Sequence, residues 1–363
     1  MIATSGREHH LAERVRKGAA GDHAGGALGA LRGSGRLRLG DMLLKVITGA
    51  IAAGAIGAML LILVFLLRDS WPSIMYNGWH FVTTITWNIG NLYSGGVTHR
   101  NGATAALGAA FGILPFIEGT VLSSLIAVVL AIPLAVALAL LLVEYLPTRI
   151  GETLSFIVEM LAGIPSVVLG LWGLAVLIPW IGHSFGPFLL RWLGWIPFFR
   201  GPVGSGQGLL ASGLILAVMI IPIIAASTRD VLRQTPRETK DGALALGLTK
   251  WEVIRAVSLP WASSGIFGAV VLGLGRALGE TMAVLMVSGS AANYLPQNIY
   301  SPIGTMAATI VSQLDSAMTD PTGMAVHALA EVALVLFIIS VIVNVPARLL
   351  LSAAARRGGP ETQ

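Results

Sequence analysis

Cysteine is absent from the 363 residues, which excludes disulfides, thiolate metal sites and haem attachment through thioethers. Charge is scarce as well. Only 11% of the side chains are charged while 55% are hydrophobic, against about 25% charged in an ordinary soluble domain. A water-soluble core cannot absorb that excess, so an integral membrane protein is expected. Only four lysines occur, followed by Gly18, Val46, Asp241 and Trp251. None can close a GxxxxGKS or GxxxxGKT phosphate loop, so ATP, if used, belongs to another subunit. The sequence has no HExxH, histidine cluster or nucleophile motif, and it nominates no catalytic residue and no metal site. His9 and His10 read as solvated side chains of a polar tail.

What is present is apolar length. Crossing roughly 30 Å of hydrocarbon takes about 20 residues of helix, and six runs qualify: 46–67, 117–143, 156–181, 209–226, 266–289 and 325–345. The third is broken by Gly163, Pro165 and Gly170, which requires neighbouring helices to satisfy the freed backbone groups. With the N-terminus inside, eighteen Lys and Arg fall in cytoplasmic segments and four (Arg68, Arg100, Arg191, Arg200) outside. The positive-inside rule therefore places both termini in the cytoplasm of a multi-pass protein. The net charge of +5 collects beside the spans and speaks for lipid headgroups, not nucleic acid.

The chain is expected to begin with a basic, disordered cytoplasmic tail over 1–41. A first transmembrane helix follows over 42–68, then an external segment over 69–111 that carries Trp71, Tyr76, Trp79, Phe81, Trp87 and Tyr93. Those aromatics read as an interfacial belt, with a docking surface for an external partner as the alternative.

The loop between the fourth and fifth spans is the most informative polar stretch. It reads DVLRQTPRETKDGALALGLTKWEVIRAVSLPW. After Pro236, the residues Ala243, Leu244, Leu246 and Leu248 predict a short, partly amphipathic helix. Gly247 offers a turn, and Trp251, Ile254 and Val257 mark a second helix running to Pro260.

These residues resemble the EAA loop of ABC-importer permeases. Asp241, Gly242 and Ala243 stand at EAA, Gly247 follows at the family spacing, and Leu259 and Pro260 close the pattern. Asp for Glu and Gly for Ala are departures. Three further stretches, GLGRALGETMAVLMVSG, VEMLAGIPSVVLGLWGLAVLIP and ILPFIEGTVLSSLIAVVLAIPLAVALAL, are similar to the PstC-type permeases of phosphate-specific importers.

The resemblance implies an all-α integral membrane fold of the type I ABC-importer permease class, with six transmembrane helices and a cytoplasmic coupling helix between the fourth and fifth. It also implies a permease core over 112–350, a cytoplasmic tail over 351–363 and a place in the bacterial plasma membrane. The expected partners are a second, PstA-like permease, two PstB-like ATP-binding subunits that hold ATP and Mg, and an external PstS-like phosphate-binding protein. No cofactor is expected on this chain. A permease for sulfate or molybdate and the PstA-type partner remain alternatives. A secondary transporter, a channel and an intramembrane enzyme stand further off.

Arg276 is the only basic residue left inside a span. A charge near mid-bilayer costs at least ~2.5–3.5 kcal/mol, so it is turned toward protein or water. Glu280, four residues on, is close enough on a regular helix to pair with it. The two read either as a structural ion pair or as lining for an oxyanion path, in which the guanidinium fork matches phosphate oxygens; the resemblance implies the latter. Ser166, beside the break in the third span, and Glu331, four residues after His327, are further pathway candidates.

Overall fold

The computed structural model describes residues 42–91 and 95–357, with side chains as far as Val345. The expected tail at 1–41, the end of the C-terminal tail at 358–363, and Tyr93 lie outside the described residues. The chain divides into two units, 1–65 and 66–363. In the first, residues 42–65 form the opening part of helix α1 (Met42–Asn77), whose apolar window has no buried residue. Leu60, Leu61, Val64 and Phe65 all face outward, a surface suited to lipid and not to water.

The second unit begins with the end of α1, which continues past the expected limit at 68. It goes on with α2 (His80–Thr83), then β1 (Trp87–Asn88), β2 (Val97–Arg100), β3 (Ala103–Ala106) and β4 (Ala110–Phe111). The helices that follow are α3 (Leu114–Tyr145), α4 (Thr148–Ala162), α5 (Ser166–Leu193), α6 (Leu209–Arg233) and α7 (Arg237–Ala245). The chain then forms α8 (Lys250–Leu278), α9 (Met282–Val287), α10 (Met306–Met318) and α11 (Met324–Arg357). Among the described residues six helices, α1, α3, α5, α6, α8 and α11, are long and apolar enough to cross a membrane. The last of them runs seven residues, 351–357, into the expected tail.

Helix α6 is the centre of the unit. Of its apolar window 72% is buried, against at most 33% for any other span. Glycines bring its neighbours close. A Cβ on Gly213 would lie 2.4 Å from Ile126 of α3, and one on Gly273 of α8 would lie 2.8 Å from Ile224. Small residues at such crossings let helices gain packing where lipid offers no hydrophobic drive. Gly119 of α3 is tighter still, since its Cβ would stand 2.1 Å from the carbonyl oxygen of Gly304. Gly119→Ala is therefore expected to cost about 1–3 kcal/mol by overpacking, measured as a lower unfolding midpoint of the detergent-solubilised chain. An unchanged midpoint would show that α3 can yield.

Three expectations are corrected. In the third apolar run the expected break at Gly163 and Pro165 is present, with α4 ending at Ala162 and α5 starting at Ser166, but Gly170 does not break the helix and the span is not 156–181 but 166–193. Proline disfavours helical geometry in the residue before it, so the span moves outward to end at Leu193. The helix starting at Lys250 does not stop at Pro260. A wide π-turn over Ile254–Ser258 absorbs the missing N–H and the helix continues to Leu278.

The aromatics of the external segment, finally, are not all a belt. Trp71 and Trp79 are exposed, but Tyr76, Phe81 and Trp87 are buried in a separate core with Phe111, Phe116, Met306 and Leu329. Trp87 meets Phe111 and Phe116 edge-on at 5.4 and 5.7 Å. This core rests on a small β element within the otherwise helical fold. β2 and β3 form a hairpin through Asn101 and Gly102, both at positive φ, as a two-residue turn of primed type requires. β1 pairs with β4, and the amide of Asn293 brackets Trp87, accepting its N–H and donating to its carbonyl.

Candidate functional site

Two interrupted helices meet at one level. α5 and α9 lie side by side and run in the same direction. Gly170 of α5 sits against Met282, Ala283 and Met286, and Gly173 sits against Val287. Four residues before Gly170 is Ser166, half-buried at the first position of α5. The break before it, at 163–165, therefore comes to the break between α8 and α9, at 279–281. α8 ends at Leu278, with Gly279 at its C-cap position.

This geometry separates the expected ion pair. Arg276 occupies the last turn of α8, whereas Glu280 lies past the helix end, where spacing by four no longer stacks side chains. No Arg276–Glu280 ion pair forms. Instead Glu280 Oε1 accepts the N–H of Ala283 at 3.3 Å and serves the start of α9. Arg276 is exposed on the surface of the isolated chain and has no carboxylate partner among the described residues. One polar neighbour was not read from the sequence: a Cβ on Gly275 would lie 3.1 Å from Oδ1 of Asn344 on α11. A lone Asn in an apolar span was the signal that could have found it.

Glu331 goes elsewhere. It is 6% exposed, and its Oε2 accepts a hydrogen bond from Ser73 Oγ of α1 at 2.6 Å. Asn77 supports that serine at 3.0 Å. His327 does not pair with Glu331; its Nδ1 lies 2.7 Å from the carbonyl oxygen of Asp69. Both side chains tie the end of α1 to α11, well apart in the fold from the meeting of α5 with α9.

At the other end of the spans, α7 has no buried residue. Pro236 precedes it. Gly247, at φ +87°, turns the chain, and Thr249 opens α8 with a capping box, its hydroxyl accepting from Glu252 N–H while Glu252 Oε2 accepts from Thr249 N–H at 2.8 Å. Asp241, Gly242, Gly247 and Pro260 are exposed and Ala243 is half-buried. Leu259 turns inward to a small core with Leu140, Leu232 and Ile254. The apolar side chains left outside are Leu244, Leu246 and Trp251, at 49, 84 and 56% exposure. Beside this surface, Arg229 of α6 is buried and paired with Glu159 of α4 at 2.7 Å and with its neighbour Asp230 at 2.6 Å. Among the described residues no cluster of His, Asp and Glu could hold a metal ion.

Comparison with known proteins meets this arrangement. Residues 131–357 match the family described as binding-protein-dependent transport system inner membrane component. The phosphate transport system permease protein PstC 1 of Mycobacterium tuberculosis is 50% identical over 316 residues, covering 85% of this chain and 93% of that protein. The PstC of Pasteurella multocida is 34% identical over 297 residues, 81% of this chain and 86% of its own length. Among solved structures, a chain of a bacterial alginate ABC transporter in complex with an alginate pentasaccharide-bound periplasmic protein aligns with a TM-score of 0.52. It shares 17% identity over 86% of this chain and 97% of that one, which speaks for the fold alone. The chain is a multi-pass inner-membrane transport permease with the ABC-importer fold, and it belongs to the PstC permeases of the binding-protein-dependent transport family.

Proposed function

We propose that this chain is one of two permease subunits of an ATP-driven importer of inorganic phosphate, contributing half of the translocation path. The observation that carries the reading is Arg276: a permanent charge in the last turn of an apolar span, exposed and without a carboxylate partner among the described residues. Guanidinium at that depth costs at least ~2.5–3.5 kcal/mol if it meets lipid. A second permease and a watery path between the two relieve that cost. The fork of donors suits a phosphate oxyanion, and Glu280, held on the α9 backbone at the same break, keeps negative charge nearby so that binding stays weak enough for release. Ser166 and Asn344 are the neutral polar groups at this level; Glu331 is read as structural.

The exposed stretch from Asp241 to Pro260 is assigned to the ATPase interface, with Leu244, Leu246 and Trp251 entering a cleft on that subunit. ATP and Mg are held there and this chain catalyses no covalent change. Both termini are assigned to the cytoplasm, and an external phosphate-binding protein delivers the anion from the opposite side. A PstA-like permease, two PstB-like ATPases and a PstS-like binding protein complete the assembly.

The test is uptake of labelled phosphate by cells that depend on this system, challenged with unlabelled anions. Excess phosphate is expected to abolish the signal, while a tenfold excess of sulfate or molybdate leaves most of it, since a charge-assisted hydrogen bond discriminates by roughly 10- to 100-fold. Equal competition by sulfate would turn the assignment to another oxyanion. Uptake without any ATPase subunit would turn it to a secondary transporter or channel.

A further inference from the structure

One carboxylate joins three elements at the ATPase end of the spans. Glu144 lies in the final turn of α3, and its Oε1 accepts from Lys240 Nζ of α7 at 2.5 Å and from Ser258 Oγ of α8 at 3.1 Å. The pair is well shielded, with the Glu144 and Lys240 side chains 12 and 19% exposed and Ser258 fully buried. Both Glu144 and Ser258 stand in π-turns, Leu141–Tyr145 and Ile254–Ser258. Such turns widen a helix by one residue and recur where side chains are aimed for function. A second contact runs alongside, with Lys250 Nζ 4.9 Å above the Tyr145 ring.

The surroundings explain why this link matters. Helix α7 has no fully buried residue, so little apolar packing holds it to the spans. Its chain connections are Pro236 at one end and the Gly247 turn at the other. The Lys240–Glu144 ion pair is the one salt bridge from α7 to a transmembrane helix among the described residues. Glu144 in turn sits beside the small core of Leu140, Leu232, Ile254 and Ala262, which joins α3, α6 and α8.

We infer that Glu144 is the receiving residue of the coupling helix: a displacement of α7 is passed through Lys240 to Glu144, and from there to the inner ends of α3 and, through Ser258, α8. This rests on the assignment of α7 to the ATPase interface. Glu144 and Lys240 act here as positioning residues, touching neither nucleotide nor anion.

The experiment uses the assembled importer in proteoliposomes and reads labelled phosphate taken up per ATP hydrolysed. Glu144→Lys and Lys240→Glu each place like charges in a shielded site and are expected to lower that ratio by about tenfold, with both reversals together restoring it to within about threefold. Glu144→Gln keeps the shape and the acceptor for Ser258, and serves if a reversal blocks assembly. It is expected to lower the ratio by about three- to tenfold, because the neutral amide oxygen still accepts from Lys240 and only about half of a charge-assisted hydrogen bond is lost. An unaltered ratio in the reversals or in Glu144→Gln overturns the inference, as does a combined variant no better than its parents. The ratio is read in complexes that retain their ATPase subunits, so this result is distinct from failure of the docking assignment, which appears as a coupled Gly247→Val complex.

Discussion

Arg276→Lys is expected to reduce phosphate uptake by about 10- to 100-fold while the importer still assembles. Lysine keeps the charge and the approximate reach, so the electrostatic reason for a partner chain at this surface persists. What goes is the planar fork. Two parallel hydrogen bonds to one oxyanion become a single contact from a more strongly hydrated ammonium, and a hydrogen bond to a charged group is worth about 1.5–3 kcal/mol. Arg276→Ala removes the charge as well and is expected to abolish measurable uptake. Assembly is followed by co-purification of the partner subunits and transport by labelled phosphate. Normal uptake by the lysine variant would remove the fork from the mechanism and leave Arg276 a role in holding the two permeases together.

Gly247→Val is expected to release the ATPase subunits or to uncouple their hydrolysis, lowering uptake at least tenfold. The argument is one of backbone alone. A Cβ at Gly247 would meet nothing within 4 Å, yet φ there is +87°. An L-residue in the left-handed region costs about 1–2 kcal/mol, and a β-branched one is an outlier there. The turn between α7 and α8 would therefore re-form with a different angle and carry Leu244 and Leu246 away from their place. Gly242→Ala is the contrast. It too has nothing within 4 Å of its Cβ and has no positive φ, and alanine favours helix by about 1 kcal/mol over glycine. It should leave transport intact or improve it. Coupled, fully assembled complexes of Gly247→Val would refute the docking assignment.

Membrane character was legible because it is a property of composition: a scarcity of charge over long runs needs no tertiary information. The helix–turn–helix pattern of the loop after Pro236 was legible for a related reason. Pro236 and Gly247 each set local backbone geometry, and both do so in the structure. Errors arose where local rules met a longer-range alternative. Spacing by four suggested a pair for Arg276 and Glu280, but α8 ends at Leu278, between them. The same spacing suggested a pair for His327 and Glu331, but each has a better partner on α1, 258 residues away. Pro260 read as a stop because the π-turn before it has no sequence signature. The hairpin at Asn101–Gly102 carried a recognisable signal, since an Asn-Gly pair between short alternating runs predicts it. It was masked by the aromatics around it. Glu144 was beyond reach: its importance comes from a lysine 96 residues away and a serine 114 residues away.

The tie between Arg229 and Glu159 has a mechanical consequence. It fastens α4 to the enclosed helix α6, while α5, continuing the same run of chain, lies beyond the interruption at 163–165 and outside that fastening. A rod clamped along one half and cut at its middle pivots at the cut. The partner rod, α8 with α9, is cut at the matching height, and α5 and α9 are packed together through Gly170 and Gly173. Yet α5 and α9 also rest on α6, Gly173 against Ile215 and the Val287 carbonyl accepting from Gly208 N–H at 3.0 Å, so any swing about the two cuts would slide them together across the face of α6.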